Sequence, residues 1–359
     1  MNYKHNGGFD TKKGRMRRFV SSAIIEDRRV SSIAVISAIL MLAIVSCTLF
    51  AFLGDGISLP AWELDFGNTD DELGPYATKT DKKLFVAKSG GKDMSNLDLY
   101  AEHAILIRIS DMSTVAYKDA DTVIYPASMT KVMTVVVALD HIQDLDATYE
   151  IKRSVVAAIP SGSSNAGLYE FVGKKMSYRD LLYGISYLSA SDSVLCVIDA
   201  LGLTMDEFVS LMNEKAKEIG LKNTTFGGAI GMDTERNQTT CRDVAAIMAY
   251  AMENPICREL FGGTQYRTQS VTDLYYNSTL HTSVKEFGKK PDTLLDGYTL
   301  LAAKSGYEVL AGYCLVSYIE NDVTGERFVL VTANAEIGND VGKKARIYDM
   351  IDIFKALKP

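Results

Sequence analysis

The chain has 359 residues, 47% hydrophobic and 23% charged, which suits one or two globular domains with a real core and excludes a disordered chain. Its net charge of -7 and pI of about 5.3 exclude a general attraction to nucleic acid. No Lys/Arg-rich block interleaved with aromatics occurs in the body of the chain.

Basic residues gather at the start instead: Lys12, Lys13, Arg15, Arg17, Arg18, Arg28 and Arg29. A charge-free apolar run follows, from Ile33 to Leu53. At ~20 residues it can cross a hydrocarbon core of about 30 Å. The pattern predicts a basic cytoplasmic tail over 1–30 and a transmembrane helix over 31–53. The positive-inside rule then puts the rest on the extracytoplasmic side of the cell membrane, anchored by a single pass. Acidic residues just beyond the run, among them Asp55, Glu63 and Asp65, sharpen the asymmetry. A cleaved signal peptide is one alternative, but the preceding tail is long and the run exceeds a 7–15-residue apolar region. Lipid attachment at Cys47 is another, and apolar residues continue well past it.

Residues 54–96 are rich in Gly, Asp, Thr and Lys with little periodicity, and read as a flexible spacer ahead of a folded domain over 97–359. His103 to Ile109 is strand-like, Asp111 to Thr114 makes a turn, and Val115 to Tyr117 returns as a second strand. Pro126 precedes a long apolar helix that begins around Ser128. Helical patterns follow over 178–187, 191–201, 205–219 and 241–252. Two strands, 313–319 and 328–332, precede a closing helix over 341–357. Strands at both ends with helices between them predict an α+β fold, an antiparallel sheet with a helical subdomain inserted. Cys196 and Cys314 sit in apolar surroundings and read as buried thiols. No Cys-x-x-Cys occurs, and no disulfide is expected.

The pattern Ser-x-x-Lys occurs twice, at Ser128 to Lys131 and at Ser89 to Lys92. Lys-Ser-Gly also occurs twice, at Lys304 to Gly306 and at Lys88 to Gly90. The copies near residue 90 overlap in a glycine-rich stretch and serve as an internal control. The Ser128 copy differs because residues three apart on a helix lie about 5–6 Å apart at Cβ, on one face. Ser128 and Lys131 therefore share a face in the first turn, where exposed N–H groups can stabilise developing negative charge. The helix beyond is apolar almost all round and should be buried. Burial disfavours a lysine cation, and a neutral amine can take a serine proton.

The stretch Tyr125-Pro126-Ala127-Ser128-Met129-Thr130-Lys131-Val132-Met133-Thr134 resembles the first motif of the low-molecular-weight penicillin-binding proteins, the serine D-alanyl-D-alanine carboxypeptidases. Gly162 to Ser164, Met176 to Gly184, Phe208 to Phe226 and Ala311 to Val316 are similar to the same family in the same order. The resemblance spans roughly 100–355 and implies a β-lactamase/transpeptidase-like fold. It implies a substrate, the peptidoglycan stem peptide, with β-lactams as inhibitors and no cofactor. It makes Ser128 the nucleophile, Lys131 the general base and Ser189 a proton relay. Lys304 and Ser305 would hold the substrate carboxylate. Gly306 would admit the substrate backbone, and the N–H groups of Ser128 and Tyr307 would form an oxyanion hole. The second motif departs from the family: Ser189-Ala190-Ser191 stands where Ser-x-Asn is usual, so the substrate contact of Ser191 loses an amide. Two alternatives stay open: a β-lactamase-type hydrolase, and a catalytically weakened module that binds wall peptides or penicillin.

No His-Glu-x-x-His and no Gly-x-Ser-x-Gly occurs, and the four histidines are scattered.

Overall fold

The computed structural model describes residues 73–357 except 82–83, 272–273, 279–293, 337 and 339–340. The expected cytoplasmic tail, membrane span and first part of the spacer lie outside those residues. Among the described residues no helix is long and apolar enough to cross a membrane.

The elements, in chain order, begin with β1 (Lys92–Asp93), β2 (Ala101–Arg108), β3 (Ser113–Lys118) and α1 (Thr130–His141). Next come β4 (Thr148–Glu150), α2 (Arg153–Val156), β5 (Lys175–Ser177), α3 (Tyr178–Tyr187), α4 (Ser191–Ala200) and α5 (Met205–Ile219). Then follow α6 (Cys241–Ala251), α7 (Pro255–Gly262), β6 (Gln265–Arg267) and β7 (Tyr275–Asn277). The chain closes with β8 (Tyr298–Glu308), β9 (Gly312–Asn321), β10 (Arg327–Ala335) and α8 (Ala345–Ala356). Helices α3, α5, α6 and α7 start where a side chain satisfies a first-turn N–H group. Thr204 and Glu207 form a reciprocal capping box on α5, Ser177 caps α3, and Asn254 with Pro255 opens α7.

Among the described residues the main sheet has the order β1-β3-β2-β10-β9-β8. The sheet is mixed rather than purely antiparallel as expected, because β1 pairs with β3 in parallel. Both ends of the chain do meet in it, with β2 paired antiparallel to β10 from Arg108–Phe328 to Ala101–Ala335. Alternation along the strands splits the core in two. Ile105, Ile107, Val329, Val331 and Val316 face the helical layer around α1, while Leu106, Leu330, Leu315 and Ile319 face α8.

Part of the segment expected to be a spacer is folded onto the domain. Phe85, Ala87 and Met94 are buried, and the backbone around them pairs with the rim of β3, Lys88 N donating to Met112 O and Met94 N to Tyr117 O. Irregular chain covering a sheet edge has no period to betray it. The control copy of the serine–lysine pattern is accounted for here too. Lys92 lies in β1, and its amine reaches the Ala356 carbonyl at the end of α8, 3.3 Å away.

Candidate active site

Helix α1 is the centre of the molecule, with every residue from Thr130 to Asp140 buried. A short 3-10 turn, Ala127–Met129, leads into it. Ala127 adopts φ 46°, a left-handed conformation that costs a non-glycine residue about 1–2 kcal/mol. The next residue is Ser128, so a strained backbone sits directly before the serine. Lys131, 1% exposed, brings its Nζ to 3.2 Å from Ser128 Oγ and donates to the Ile230 carbonyl at 2.5 Å. Burial pushes the lysine down to about 8, with Glu235 and Glu308 partly opposing that shift.

Ser128 and Lys131 lie in a cavity of about 980 Å³. Ser189 and Ser191 form one wall, with the serine-rich loop 161–164 beside them. Ser189, like Ala127, is a non-glycine residue at positive φ, 57°. Ser191 is fully buried; its N–H donates to Ser164 O at 2.8 Å, while its Oγ has no hydrogen-bond partner. Strand β8, the edge of the sheet, supplies Ser305, Gly306, Tyr307 and Glu308 to the opposite wall. Lys343 and Arg346, around the start of α8, bring positive charge to the lining.

All eight residues singled out from the sequence converge here, and Lys304 and Gly306 make contacts that the sequence did not announce. Lys304 is fully buried behind the cavity and does not line it; its Nζ donates to Ser189 Oγ at 3.1 Å and to Ser305 O at 2.7 Å. Alternation on β8 explains this. Ala302 faces the helical core and Ala303 the α8 side, so Lys304 returns to the core side. Burial, with Lys131 and Arg346 nearby, pushes the Lys304 amine well below the ordinary lysine range. Gly306 lies against the serine turn. A Cβ there would come within 3.0 Å of the Ala127 Cβ, 3.1 Å of Pro126 O and 3.2 Å of Ser128 N. Its missing side chain lets β8 close onto the serine turn.

The sequence reading missed Glu308, Arg346, Lys343, Tyr275 and the turn at Ile230–Met232. Glu308 was legible in principle, two residues after Gly306 and so on the same strand face. Arg346 carried no signal, since some forty residues of chain separate it from Lys304. Among the described residues no histidine lines the cavity, and His281 lies outside them. Cys196, Cys241, Cys257 and Cys314 are buried free thiols, and burial raises the first to about 12 and the last to about 11.

Fold and site together define the transpeptidase-like α+β class. The structure of the DD-transpeptidase of Streptomyces strain K15 superposes with a TM-score of 0.61 at 25% identity, covering 72% of this chain and 97% of that one. A Mycobacterium tuberculosis D-alanyl-D-alanine carboxypeptidase structure has the same fold, with a TM-score of 0.61 at 21% identity over 76% of this chain and 97% of that one. The chain belongs to the D-alanyl-D-alanine carboxypeptidase family, peptidase S11, whose family model matches residues 91–336. It is 29% identical over 256 residues to the D-alanyl-D-alanine carboxypeptidase DacF of Bacillus subtilis, covering 70% of this chain. It is 31% identical over 216 residues to a D-alanyl-D-alanine carboxypeptidase of Streptomyces strain K15, covering 57% of this chain and 71% of the relative. The chain spans 58% of the length of the Bacillus relative.

Proposed function

We propose that this protein is a serine-type D-Ala-D-Ala carboxypeptidase that removes the terminal D-alanine from peptidoglycan stem peptides, with Ser128 as nucleophile and Lys131 as general base. The observation that carries this is the lysine amine 3.2 Å from Ser128 Oγ, in a burial that leaves it partly neutral near pH 7. With a value of about 8, roughly one amine in ten is neutral at pH 7.

Neutral Lys131 takes the Ser128 proton as Oγ bonds to the carbonyl between the two D-alanines. The N–H groups of Ser128 and Tyr307 receive the oxyanion; the close approach of Gly306 to Ser128 N supports their adjacency. The C–N bond then breaks. Ser189, held by Lys304, gives its proton to the departing amine and takes in exchange the one Lys131 holds, so neutral Lys131 is restored and activates the water that hydrolyses the ester. Ser305, with Lys343 and Arg346 in the same lining, offers the hydroxyl and positive field that a terminal carboxylate needs. Ser191 contacts the substrate backbone with its hydroxyl. A β-lactam carries a strained amide and a carboxylate in place of that dipeptide and acylates the same serine. The apolar run at 33–53 holds the enzyme to the cell membrane by one pass, with the catalytic domain on the extracytoplasmic side.

Incubation with penicillin followed by intact-mass measurement tests the reading. The full chain is expected to gain one penicillin, Ser128→Ala to gain none, and a peptide ending in D-Ala-D-Ala to release D-alanine. Acylation should climb about tenfold per pH unit below pH 8 and level above it, because the base form appears as pH rises through the lysine value. Rapid penicillin turnover without an adduct points to the β-lactamase alternative, and an adduct without D-alanine release to the weakened binding module. No reaction with either compound sinks the enzyme reading.

A further inference from the structure

Lys131 takes its second contact from a turn outside the recognised motifs, and a single carboxylate builds that turn. We propose that Glu235 is a positioning residue for the base: it gathers the backbone of residues 230–232 and so aims the Ile230 carbonyl at the Lys131 amine. This rests on the reading of Lys131 as the base.

Three consecutive N–H groups converge on the Glu235 carboxylate. Ile230 N donates to Oε1 at 3.1 Å, and Gly231 N and Met232 N donate to Oε2 at 2.5 and 3.1 Å. The carboxylate lies over Gly228, where a Cβ would run into it. Asn237 braces the same loop from below. Its Oδ1 accepts from Gly227 N at 2.7 Å and Gly228 N at 3.0 Å, and its Nδ2 donates to Thr130 Oγ1 at 3.2 Å. Thr134 Oγ1 donates to Ala229 O at 2.7 Å. Gly231, at φ 85°, packs so closely on the Ala127 carbonyl that no side chain fits. The turn is thus fastened to the first turns of α1 and to the serine's own entry.

The consequence for the base follows from its valences. A carbonyl only accepts, so Ile230 O must take an N–H from Lys131. A neutral amine has one lone pair, and with an N–H committed to Ile230 that lone pair can be directed to the Ser128 hydroxyl. If the carbonyl drifts, the amine turns freely and its lone pair leaves the serine. Glu235 does not line the cavity and touches no reacting atom.

The carboxylate has a second, measurable effect. The charged groups facing Lys131 are Glu235 from this turn and Glu308 and Lys304 from β8. Glu308 in turn faces Asp233, whose carboxylate accepts from Leu310 N at 2.9 Å. Glu235 favours the ammonium form, so removing its charge lowers the pH at which the base becomes neutral.

The test uses Glu235→Gln and Glu235→Asp in the full chain. Three quantities are read: the pH profile of acylation by penicillin, the thermal midpoint, and the titration of the Lys131 Cε carbon by lysine-selective 13C NMR, assigned with Lys131→Arg. Glu235→Gln is expected to lower plateau acylation at least about tenfold. Its acid limb and its Cε titration should both move to lower pH. Glu235→Asp keeps the charge, so its limb should stay in place while its plateau falls. A folded Gln variant with unmoved limb and unmoved Cε titration overturns the proposal, whatever its plateau. Should that variant not fold, an unchanged plateau in Glu235→Asp overturns it. If the parent itself does not acylate, the proposed function fails. The Cε titration then decides separately: a downward move in Glu235→Gln sustains the link to Lys131, and no move discards it.

Discussion

In the proposed function Ser191 meets the bound substrate. Its hydroxyl is fully buried, lines the cavity and has no hydrogen-bond partner. Removing an unsatisfied buried group and leaving a methyl is close to neutral or stabilising, in contrast to breaking a made bond. Ser191→Ala is therefore expected to hold or slightly raise the denaturation midpoint while slowing D-alanine release severalfold, because the hydroxyl serves only a bound substrate. Calorimetry and a D-alanine release assay on one preparation check both halves; a loss of stability with unchanged release reverses the assignment. At this scale the sequence was informative about identity and less so about direction. Ser128 and Lys131 were legible because three-residue spacing on a helix fixes neighbours, whereas Ser189 was reached only through the resemblance. Lys304 was recognised, but its burial and its contact with Ser189 were not. The alternation that turns it inward depends on a register shift between Leu300 and Ala302, which no residue pattern announces.

The catalytic wall depends on elements being tied to one another, and Asp192 makes one of those ties. It lies in the first turn of α4, one residue past Ser191, and is fully buried. Its carboxylate accepts from Ala166 N at 2.9 Å and Leu168 N at 3.0 Å, and so fastens the serine-rich loop 161–168 to the helix start. The helix N-terminus also favours a negative charge there. Asp192→Ala takes the acceptor from three N–H groups, those of Ala166, Leu168 and Ser193, and is expected to cost about 2–4 kcal/mol in urea denaturation. The loosened loop should raise KM for a D-Ala-D-Ala peptide more than it lowers kcat. A variant with parental KM would show that the loop holds its place without the carboxylate. Helices were the legible elements: α3 and α5 fall on the predicted bounds because their apolar periods and caps coincide. The short strand β1 and the packed stretch before it were not, since their order comes from a distant sheet edge rather than from their own period.

At the scale of the whole molecule the site draws on stretches far apart in the chain: the serine turn at 128–131, the wall at 161–191, the turn at 230–232, the edge strand at 305–308 and the start of α8. The sheet makes this possible by pairing β2 with β10, so that α1 and α8 flank one scaffold. A stem peptide is part of a wall outside the cytoplasm, and an enzyme acting on it must be held there. We propose the apolar run from Ile33 to Leu53, flanked by Arg28 and Arg29 before it and acidic residues after it, as that anchor. Expressed in a bacterium, the full chain is expected to sediment with membranes, to resist high salt and to be released by detergent. A chain lacking residues 1–53 should stay in the soluble fraction. Cys47→Ser should fractionate as the parent does, which separates a spanning helix from a lipid attached at that cysteine. Protease added to intact spheroplasts should digest the catalytic domain and spare the basic tail. Release by salt would reduce the association to surface charge, and protection of the catalytic domain would place it on the cytoplasmic side, away from the wall.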